Sequence, residues 1–534
     1  MKTKLLFLLL IPLLNFAGVT ENLKSYLLAQ SGEIELSSQI HCGFHYELDL
    51  LEHYNELSPE LQAMAKAARV MSDMQAEYIS PAGHFKIQYD TSGSNAVDLT
   101  DVSGNGIPDF VDSAAAIFDH VWHIEIEMMG FQNPPNLGND YYNIFINDQA
   151  RYGYYGQTYI VNIDDPENIQ SYIEIDKSFT SDKFYTKGLN ALRVTAAHEF
   201  NHALQIGYNF HLSSDRFFME MTSTWLEDFL YPDVNDYYAY LPVFFSSINS
   251  IRFDSAISFY PYANSIYLHM LTRKFSPQIV VDVWDKINKF SAMPALEEVI
   301  SEKGASWDET QNEYAVWLYY TGDRAIAGLF FPDAARYPMI TFPDKRNLDF
   351  TENFGFDVEV DKRGYKFYQI RGLQNIRYMA KVSSNSSKGI YTHVNAQNLP
   401  EASKRFNQQQ AVNFDSQDSI VVVITNPDTS VDIYYTLNSD TTQPFLVGPN
   451  PVILDGSDNQ EMNFYNVPPQ GEIFIFSVNG KSLQKIVSDF PAKSTVSWDM
   501  RDYNNNLLSS GVYFYIVKSA DFEKKGKFAV IRKQ

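Results

Sequence analysis

The stretch Thr195-Ala-Ala-His-Glu-Phe-Asn-His-Ala-Leu-Gln205 combines a metal-binding pattern with the composition of a buried helix. His198 and His202 are four residues apart, so on a helix they lie one above the other on the same face. Two such imidazoles can share one tetrahedral metal ion, and Glu199 beside them can deprotonate a water on that metal. A chance match on a surface helix would have charged neighbours, whereas no charged residue other than Glu199 occurs in this stretch. The pattern therefore predicts a buried metal site on a helix over residues 188–208.

A second predicted helix, Arg216–Asp228, carries acidic residues that can complete this site. Glu220 comes 18 residues after His202, and a helix–loop–helix hairpin can fold it back onto the metal. Phenylalanine and methionine residues flank Glu220, so we expect it to be buried, and a buried carboxylate needs a partner such as a metal. The alternative is an ordinary solvated carboxylate. Either Glu227 or Asp228 is expected to accept a hydrogen bond from a ligating imidazole.

The segment Asp101–Asp112 has the spacing of a calcium-binding loop. Such a loop turns sharply at its sixth position, where Gly106 lies. Two departures weaken the match, because Asp112 is shorter than the usual glutamate and Pro108 lies inside the loop. An Asx-rich turn that caps a helix beginning near Asp112 explains the same residues, so calcium and the turn are held as alternatives. The candidate calcium ligands are Asp101, Ser103, Asn105, Ile107 through its carbonyl oxygen, Asp109 and Asp112.

Composition and charge narrow the functional classes. The chain has 534 residues and a net charge of −24, which argues against nucleic acid and anionic membrane surfaces as partners. Residues 1–17 combine a basic start, about ten apolar residues and a small residue for cleavage, as in a secretory signal peptide. No later stretch approaches about 18 uninterrupted apolar residues, so no transmembrane segment is predicted. The expected location is outside the cell or on its surface.

The single cysteine, Cys42, cannot form an internal disulfide. The favoured interpretation is a buried small apolar residue, because unpaired cysteines are often buried. The alternative is that its thiolate caps the metal until a pre-segment is cleaved away, since thiolates bind zinc well. Nothing in the sequence places Cys42 near His198.

The changing periodicity along the chain predicts a multidomain protein that begins with an α+β domain. Residues 18–80 have helical periodicity and are interpreted either as a pre-segment or as a helical brace. Within the predicted metal-binding domain, residues 81–335, strands are expected at 142–146, 158–162 and 171–176, the last of them as an edge strand. These strands precede the helix that carries the two histidines.

Two β-sandwich domains are predicted to follow. After Pro332 the amphipathic helices give way to short alternating runs, which indicate a β-sandwich over residues 345–442. Residues 443–534 contain further strands separated by Asn-Gly and Ser-Gly turns, which favours an immunoglobulin-like sandwich.

The HExxH motif followed by a glutamate on a second helix resembles the gluzincin zinc peptidases. The runs Thr195–Gln205 and Phe218–Asp228 are similar to those of a group of secreted bacterial zinc metalloproteases, in which Gly104–Asp112 has a counterpart of the form GNGIPDxVD. The resemblance covers roughly residues 80–330 and implies a zincin-like fold whose edge strand binds the substrate backbone. In that fold zinc is held by His198, His202 and Glu220, and Glu199 is the general base on a zinc-bound water.

The resemblance has limits and one further implication. The Gly-Ala-Met-Glu-Asn motif of the aminopeptidase branch is absent, and no third histidine follows His202 at the metzincin spacing. The segment Ser258–Leu271 resembles the helix that supplies a tyrosine to the transition state, where a phenol donates to the developing oxyanion. Tyr262 is the first candidate and Tyr260 the second. With 35 tyrosines in the chain, a packing role is at least an equal alternative.

The C-terminal region resembles the sorting domains of type IX secretion. The resemblance rests on Gly448-Pro-Asn-Pro451, the Trp498-Asp499 step, the strand Ser510–Ile516 and the basic end of the chain. It implies the type IX secretion machinery as a partner and export to the cell surface or the medium. A plain accessory or adhesion β-domain is the alternative.

Together these features predict a secreted zinc-dependent endopeptidase that hydrolyses protein or peptide substrates. The alternative is a surface adhesion or glycan-binding protein with an inactive zincin-like domain. The retained Glu199 argues against the alternative, because a purely structural zinc site needs no general base.

Overall fold

The computed structural model describes most of the chain in ranges separated by short gaps. It divides into two compact units, Met1–Ser247 with Phe253–Ile340 and Ile248–Arg252 with Thr341–Gln534. The first unit is mixed α+β and the second is rich in β-sheet, so the chain is multidomain. The predicted signal peptide lies outside the described residues. The described ranges are 18–34, 42–69, 73–135, 140–165, 168–342, 345–347, 355–371, 377–382, 389–395, 404–406, 410–413, 419–425, 433–439, 445–454, 461–468, 470–488, 494–520 and 522–533.

The first unit is built mainly from helices. A π-helical turn, His123–Met128, directly follows the fourth of them. No described helix combines the length and the hydropathy needed to cross a membrane. The helices are residues 18–30 (α1), Phe44–His53 (α2), Pro59–Ala67 (α3), Asp109–Trp122 (α4), Gly188–Gln205 (α5), Leu212–Leu230 (α6), Leu241–Ser247 (α7), Tyr260–Ala263 (α8), Ile266–Lys274 (α9), Gln278–Ile287 (α10), Ala292–Glu302 (α11) and Trp307–Tyr319 (α12). Short 3-10 turns are Tyr54–Glu56, Gln149–Arg151, Asp236–Ala239, Gly322–Arg324 and Ala334–Arg336.

A mixed five-stranded sheet covers the helix that carries the histidines. Its strands are Ala76–Ile79 (β1), Phe85–Tyr89 (β2), Tyr142–Asn147 (β3), Gly156–Ile160 (β4) and Ser171–Asp176 (β5). The order is β1-β2-β3-β5-β4, in which β2, β3 and β5 are parallel and the outer strands β1 and β4 are antiparallel to their neighbours. Helix α5 packs against β4 and β5. The sheet therefore presents an antiparallel edge strand beside the HExxH helix.

Two predictions about these strands are wrong. The edge strand is β4 and not β5, because β5 pairs with β3 on one side and with β4 on the other. All five residues of β4, Gly-Gln-Thr-Tyr-Ile, are buried, so the strand lacks the charged and exposed side chains of an open edge. Strand β1 lies inside residues 18–80, for which helices alone were predicted. Its residues are partly buried or exposed without alternation, and this leaves no strand pattern to detect.

Helix α5 is buried along its whole C-terminal half. Every residue from Thr195 to Gln205 is buried, because β4 and β5 cover one side while α4 and α6 cover others. Polar side chains in such surroundings must find partners within the protein. The helix therefore holds its histidines in fixed orientations inside the protein.

A buried ion pair ties the N-terminal helices to the edge strand. Glu47 of α2 pairs with Arg69, which follows α3, and both side chains are almost fully buried. Glu47 Oε1 accepts a hydrogen bond of 2.7 Å from the Tyr26 hydroxyl of α1, and Oε2 accepts one of 3.0 Å from the backbone N–H of Ile160. Removing one partner of such a pair costs about 3–5 kcal/mol. Residues 18–34 and 42–69 are thus integrated into the first unit.

Within its described residues, the second unit contains four sheets. The strands are Lys345–Asn347 (β6), Gly355–Val360 (β7), Tyr365–Arg371 (β8), Arg377–Val382 (β9), Gly389–Asn395 (β10), Lys404–Phe406 (β11), Gln410–Asn413 (β12), Ser419–Thr425 (β13), Ile433–Ser439 (β14), Leu446–Gly448 (β15), Val452–Leu454 (β16), Met462–Val467 (β17), Glu472–Ser477 (β18), Ser482–Val487 (β19), Ser494–Trp498 (β20), Gly511–Ser519 (β21) and Phe522–Arg532 (β22). The sheet orders are β11-β10-β13-β8-β6, β12-β9-β14-β7, β15-β17-β20 and β16-β22-β21-β18-β19. The last two sheets share one apolar core that includes Phe464, Ile473, Trp498 and Phe528, so β15–β22 form a two-layer sandwich.

Candidate metal centre

Three side chains from two neighbouring helices converge on one point. His198 and His202 come from α5, and Glu220 comes from α6; all three are buried. The Nε2 atoms of the two imidazoles are 3.1 Å apart. Oε2 of Glu220 lies 3.4 Å from Nε2 of His198 and 3.5 Å from Nε2 of His202. The helix–loop–helix hairpin thus brings together the three residues that the sequence selected.

These separations fit a tetrahedral metal ion. Zinc binds nitrogen and oxygen ligands at about 2.0–2.1 Å, so two ligand atoms at the tetrahedral angle are about 3.3 Å apart. Oε2 of Glu220 is buried and has no hydrogen-bond partner within the described residues. A buried oxygen without a partner is costly. A metal ion between the three ligand atoms would remove that cost.

Each imidazole is oriented by a second contact. Nδ1 of His198 lies 2.7 Å from Oε1 of Glu227, and Nδ1 of His202 lies 2.8 Å from Oε1 of Gln205. The amide oxygen of Gln205 can only accept, so Nδ1 of His202 carries the hydrogen, and an ionised Glu227 makes Nδ1 of His198 the donor in the same way. In the neutral imidazoles the lone pair of each Nε2 then faces the common point, as a metal ligand requires. Of the two acids considered from the sequence, Glu227 makes this contact.

Glu199 is held by the sheet as well as by its own helix. It lines the same cavity as His198. Oγ1 of Thr158, on the edge strand β4, lies 2.8 Å from Oε2 of Glu199 and 2.7 Å from its carbonyl oxygen. A Cβ on Gly156 would come within 2.7 Å of Cγ2 of Thr195. A glycine is therefore needed where β4 approaches α5 this closely.

The thiol of Cys42 lies among the same atoms. One ligand atom from each of Cys42, His198, His202 and Glu220 lies within 4.8 Å of the others, and all four residues are buried. This buried cluster can hold a metal ion. Cys42 is as buried as the favoured interpretation expected, but its surroundings are metal-binding groups and not an apolar core. The other interpretation, in which the Cys42 thiolate caps the metal, requires the thiol to be in this position.

The charges in the cluster favour a cation. Burial lowers the pKa of His198, but contacts with the Cys42 thiol and two carboxylates outweigh burial and leave that pKa well above its usual value. Burial raises the pKa of Glu220, but the two imidazoles outweigh it and hold that pKa below its usual value. Burial also raises the pKa of the Cys42 thiol, and nearby carboxylates add to this effect. His198 and Cys42 thus hold their protons strongly while Glu220 stays ionised, and a divalent cation at this point would compete with those protons.

Tyr262 lies at this centre, whereas Tyr260 does not contact it. The Tyr262 ring is parallel to the His198 imidazole, with 5.9 Å between centroids. Burial, followed by the Glu220 carboxylate, raises the Tyr262 pKa well above its ordinary value, so the phenol keeps its proton. The Tyr260 ring packs on Phe244, at 4.9 Å. Of the two candidates, Tyr262 is the one that lies beside the candidate ligands.

The Asp101–Asp112 segment is exposed from Val102 to Gly106 and is closed by its own hydrogen bonds. Asp101 accepts from the backbone N–H groups of Gly104 at 2.7 Å and of Gly106 at 2.8 Å. The Asn105 side-chain amide donates to Oδ2 of Asp112 at 2.8 Å. These contacts are those of an Asx-rich turn, and calcium binding by this loop stays a prediction. The helix that was expected to start near Asp112 is observed and starts three residues earlier, at Asp109, directly after Pro108.

Several residues of the site were not identified from the sequence. Thr158 and Gln205 contact the site as described above. A small cavity beside the ligands also contains Asp236, whose Oδ1 accepts a hydrogen bond of 3.0 Å from the Tyr155 hydroxyl. The remaining side chains that line this cavity and were not predicted are Val194, Thr195 and Tyr240.

Comparisons with known proteins give no family for this chain. No family model matches it, and no curated protein matches it. Among solved structures it is similar to PorZ, a surface component of the type-IX secretion system of Porphyromonas gingivalis, at 21% identity over 21% of this chain and 14% of PorZ, with a TM-score of 0.15. The adhesin domain of Epf from Streptococcus pyogenes matches at 11% identity over 34% of this chain and 73% of that domain, with a TM-score of 0.14.

A β-glucuronidase of Parabacteroides merdae matches at 10% identity over 41% of this chain and 33% of the enzyme, with a TM-score of 0.15. The chain thus spans less than two thirds of PorZ and of this glucuronidase. Similarities this low assign neither a fold nor a function to the whole chain.

Proposed function

We propose that this chain is a secreted zinc-dependent endopeptidase with a zincin-like catalytic domain. The observation that carries the proposal is the convergence of His198, His202 and Glu220 on one point, with Glu199 on the same helix beside them. A structural zinc site needs the ligands alone. Hydrolysis of a peptide bond also requires a general base next to the ligands. Glu199 can be this base, because the edge strand holds its carboxylate there.

Zinc is the metal that best suits this set of ligands. Two imidazole nitrogens, one carboxylate oxygen and a nearby thiol form a mixed nitrogen, oxygen and sulfur set, whereas magnesium and calcium prefer oxygen alone. The hydrogen bond from His198 to Glu227 makes the imidazole a better ligand in the same way as carboxylate–histidine–zinc arrangements.

Each residue of the centre has a role in this proposal. Bound zinc supplies Lewis acidity, which activates a water and polarises the carbonyl of the substrate. Glu199 takes a proton from the attacking water and passes it to the leaving amine. Tyr262 donates a hydrogen bond to the oxyanion that develops on the carbonyl oxygen. The backbone of strand β4 would bind the extended substrate, since β4 lies at the edge of the sheet beside Glu199.

The C-terminal sandwich is proposed to direct export. Its two-layer fold and its Gly448-Pro-Asn-Pro451 start, Trp498-Asp499 step and basic end support a sorting domain for the type IX secretion machinery. The catalytic unit would then act on protein or peptide substrates at the cell surface or in the medium.

Digestion of an unfolded protein such as casein tests the proposed activity. Both the native chain and the Cys42→Ala variant are assayed, because the thiol lies among the ligands. We expect internal peptide bonds to be cut, which mass spectrometry of the fragments would show. If neither protein cuts any peptide bond while zinc is bound, the chain is not a peptidase, and an adhesion or binding role becomes the better account.

Replacement of Tyr262 by phenylalanine should lower kcat for peptide hydrolysis by about 100-fold and leave KM nearly unchanged, since removal of one oxyanion donor costs about 10²–10³ in rate. The matched control is Tyr260→Phe, which removes a hydroxyl that makes no contact with the ligands. Steady-state kinetics on one peptide would separate the two. Equal rates in the Tyr262→Phe and Tyr260→Phe variants would assign Tyr262 to packing.

A further inference from the structure

Residues 42–44 lie directly over the metal centre. Cys42 forms a parallel β-bridge with Gly156, so the chain at this point follows the outer edge of β4. The Phe44 ring stacks on the His202 imidazole, with 4.2 Å between centroids and 19° between planes. This is the edge of the sheet where the proposed peptidase would bind its substrate.

Helix α2 is anchored to strand β4 on one side of the site and to helix α6 on the other. On one side, Oε2 of Glu47 accepts the backbone N–H of Ile160, at the end of β4. On the other side, Arg216 of α6 pairs with Asp49 and lies 2.9 Å from Oε2 of Glu52. These contacts are specific and partly buried, so α2 is held across the site and does not merely pass near it.

A thiolate ligand would also change the number of open coordination positions on the metal. A catalytic zinc site has three protein ligands and one open position, whereas a site with four protein ligands is closed. Cys42 supplies the fourth donor in this cluster. With Cys42 in place, a metal ion there has no position for a water or for a carbonyl oxygen of the substrate.

We propose that Cys42 is a fourth ligand of the bound metal and that residues 42–53 block the substrate path, which makes the chain latent in this conformation. The blocking role rests on the proposed peptidase function, whereas the ligand role does not. Activation requires that the thiolate leave the metal and take a proton from solvent, and that residues 42–53 move away from β4. No oxidant, reductant or other reactant is needed for this exchange.

Cobalt substitution tests the ligand role without an activity assay. Cobalt(II) takes up the same ligands as zinc, and a thiolate ligand gives it an intense near-ultraviolet charge-transfer absorption. We expect this absorption in the full native chain and its loss in Cys42→Ala, with one cobalt still bound in both. The matched control is Glu60→Gln, an exposed change close to the same helix that should keep the absorption. A native chain that binds cobalt without this absorption, or binds none, overturns the proposal.

Peptide hydrolysis tests the blocking role. The Cys42→Ala chain should be about 10- to 1,000-fold more active than the native chain, because minor open conformations are typically populated at about 0.1–10%. Gly43→Val provides a second variant that keeps the thiol. A Cβ on Gly43 would overlap the side chain of Gln157 and come within 2.8 Å of Cε2 of Tyr154, so it should push the segment off β4. We expect Gly43→Val to gain activity as well and Glu60→Gln to stay at the native level.

The outcomes separate the two proposals. If the charge-transfer absorption is present but neither Cys42→Ala nor Gly43→Val exceeds the native activity, while all three cut peptide, latency is overturned and the peptidase stands. If metal-loaded proteins of all three kinds fail to cut any peptide, the peptidase proposal is wrong and latency falls with it. The absorption would then identify a closed structural metal site.

Discussion

The Glu199→Gln variant should lose nearly all peptide hydrolysis and keep its metal. Glutamine has the shape of glutamate and can keep the contact with Oγ1 of Thr158, which lies 2.8 Å from the carboxylate. It cannot take a proton from water, and a general base contributes about 10²–10⁴-fold to the rate. We therefore expect kcat to fall by about 10²–10⁴-fold with one zinc still bound per chain. The variant is best made in the native and in the Cys42→Ala chain, so that any latency does not hide the effect.

Glu125→Gln is the matched control for this variant. Glu125 is fully buried, and its Oε2 accepts a hydrogen bond of 3.4 Å from Asn201, which is on the same helix as Glu199. Burial raises the pKa of Glu125 well above its usual value, which favours the protonated carboxyl group that glutamine resembles. We expect activity within about twofold of the parent chain. That change is small beside the loss of about 10²–10⁴-fold expected for Glu199→Gln. Equal losses in both variants would mean that any change in this buried region disables the protein, and Glu199 would have no special role.

The second large effect is expected from Glu220→Ala. The carboxylate is one of three ligands in the proposed site, with Oε2 at 3.4 Å and 3.5 Å from the two imidazole nitrogens. Loss of residues that only support a ligand already costs about 10–100-fold in metal affinity. Loss of the ligand should therefore weaken zinc binding by more than about 100-fold, as measured by competition with a chromophoric chelator. Hydrolysis should fall in parallel at low zinc and recover in part when zinc is added in excess.

Asp228→Asn serves as the control on the same helix. Asp228 is an acidic neighbour of Glu227, but its Oδ2 lies 3.6 Å from Nε2 of His269 and it contacts none of the ligands. Burial, with a smaller effect of Asp333, raises the Asp228 pKa to about 7, so the change to asparagine alters its charge only in part near neutral pH. Zinc affinity should be unchanged. A similar loss of affinity in Asp228→Asn and Glu220→Ala would show that the general acidity of α6, and not direct ligation, holds the metal.

The centre of this site could be predicted from sequence because its pattern is local. The helix expected over residues 188–208 is observed at Gly188–Gln205, and the second helix was expected at Arg216–Asp228 and is observed at Leu212–Leu230. Histidines four residues apart on a helix must share a face. An acidic residue among large apolar side chains must be buried with a partner. These two rules together selected His198, His202 and Glu220.

Contacts between distant parts of the chain could not be predicted in this way. The approach of Thr158 to Glu199 depends on how β4 lies across α5, and no periodicity within either element encodes it. The position of Cys42 depends on the path of residues that precede the sheet by more than thirty positions. The edge strand was misassigned for the same reason, because Cys42 and Glu47 pair with β4, all of whose residues are buried as in an inner strand. The Thr158–Glu199 contact, the position of Cys42 and the identity of the edge strand are all set by packing between segments that are distant in sequence.

Titration of zinc into the metal-free Cys42→Ala chain tests the central claim most directly. Peptide hydrolysis and bound zinc are measured on the same samples after the metal has been removed with a chelator. A zinc peptidase centred on His198, His202 and Glu220 should be inactive at first, gain activity in proportion to the zinc bound, and reach its plateau at one zinc per chain. Hydrolysis by the metal-free chain at the rate of the zinc-loaded chain would contradict the account, and so would a chain that fills with zinc and cuts no peptide.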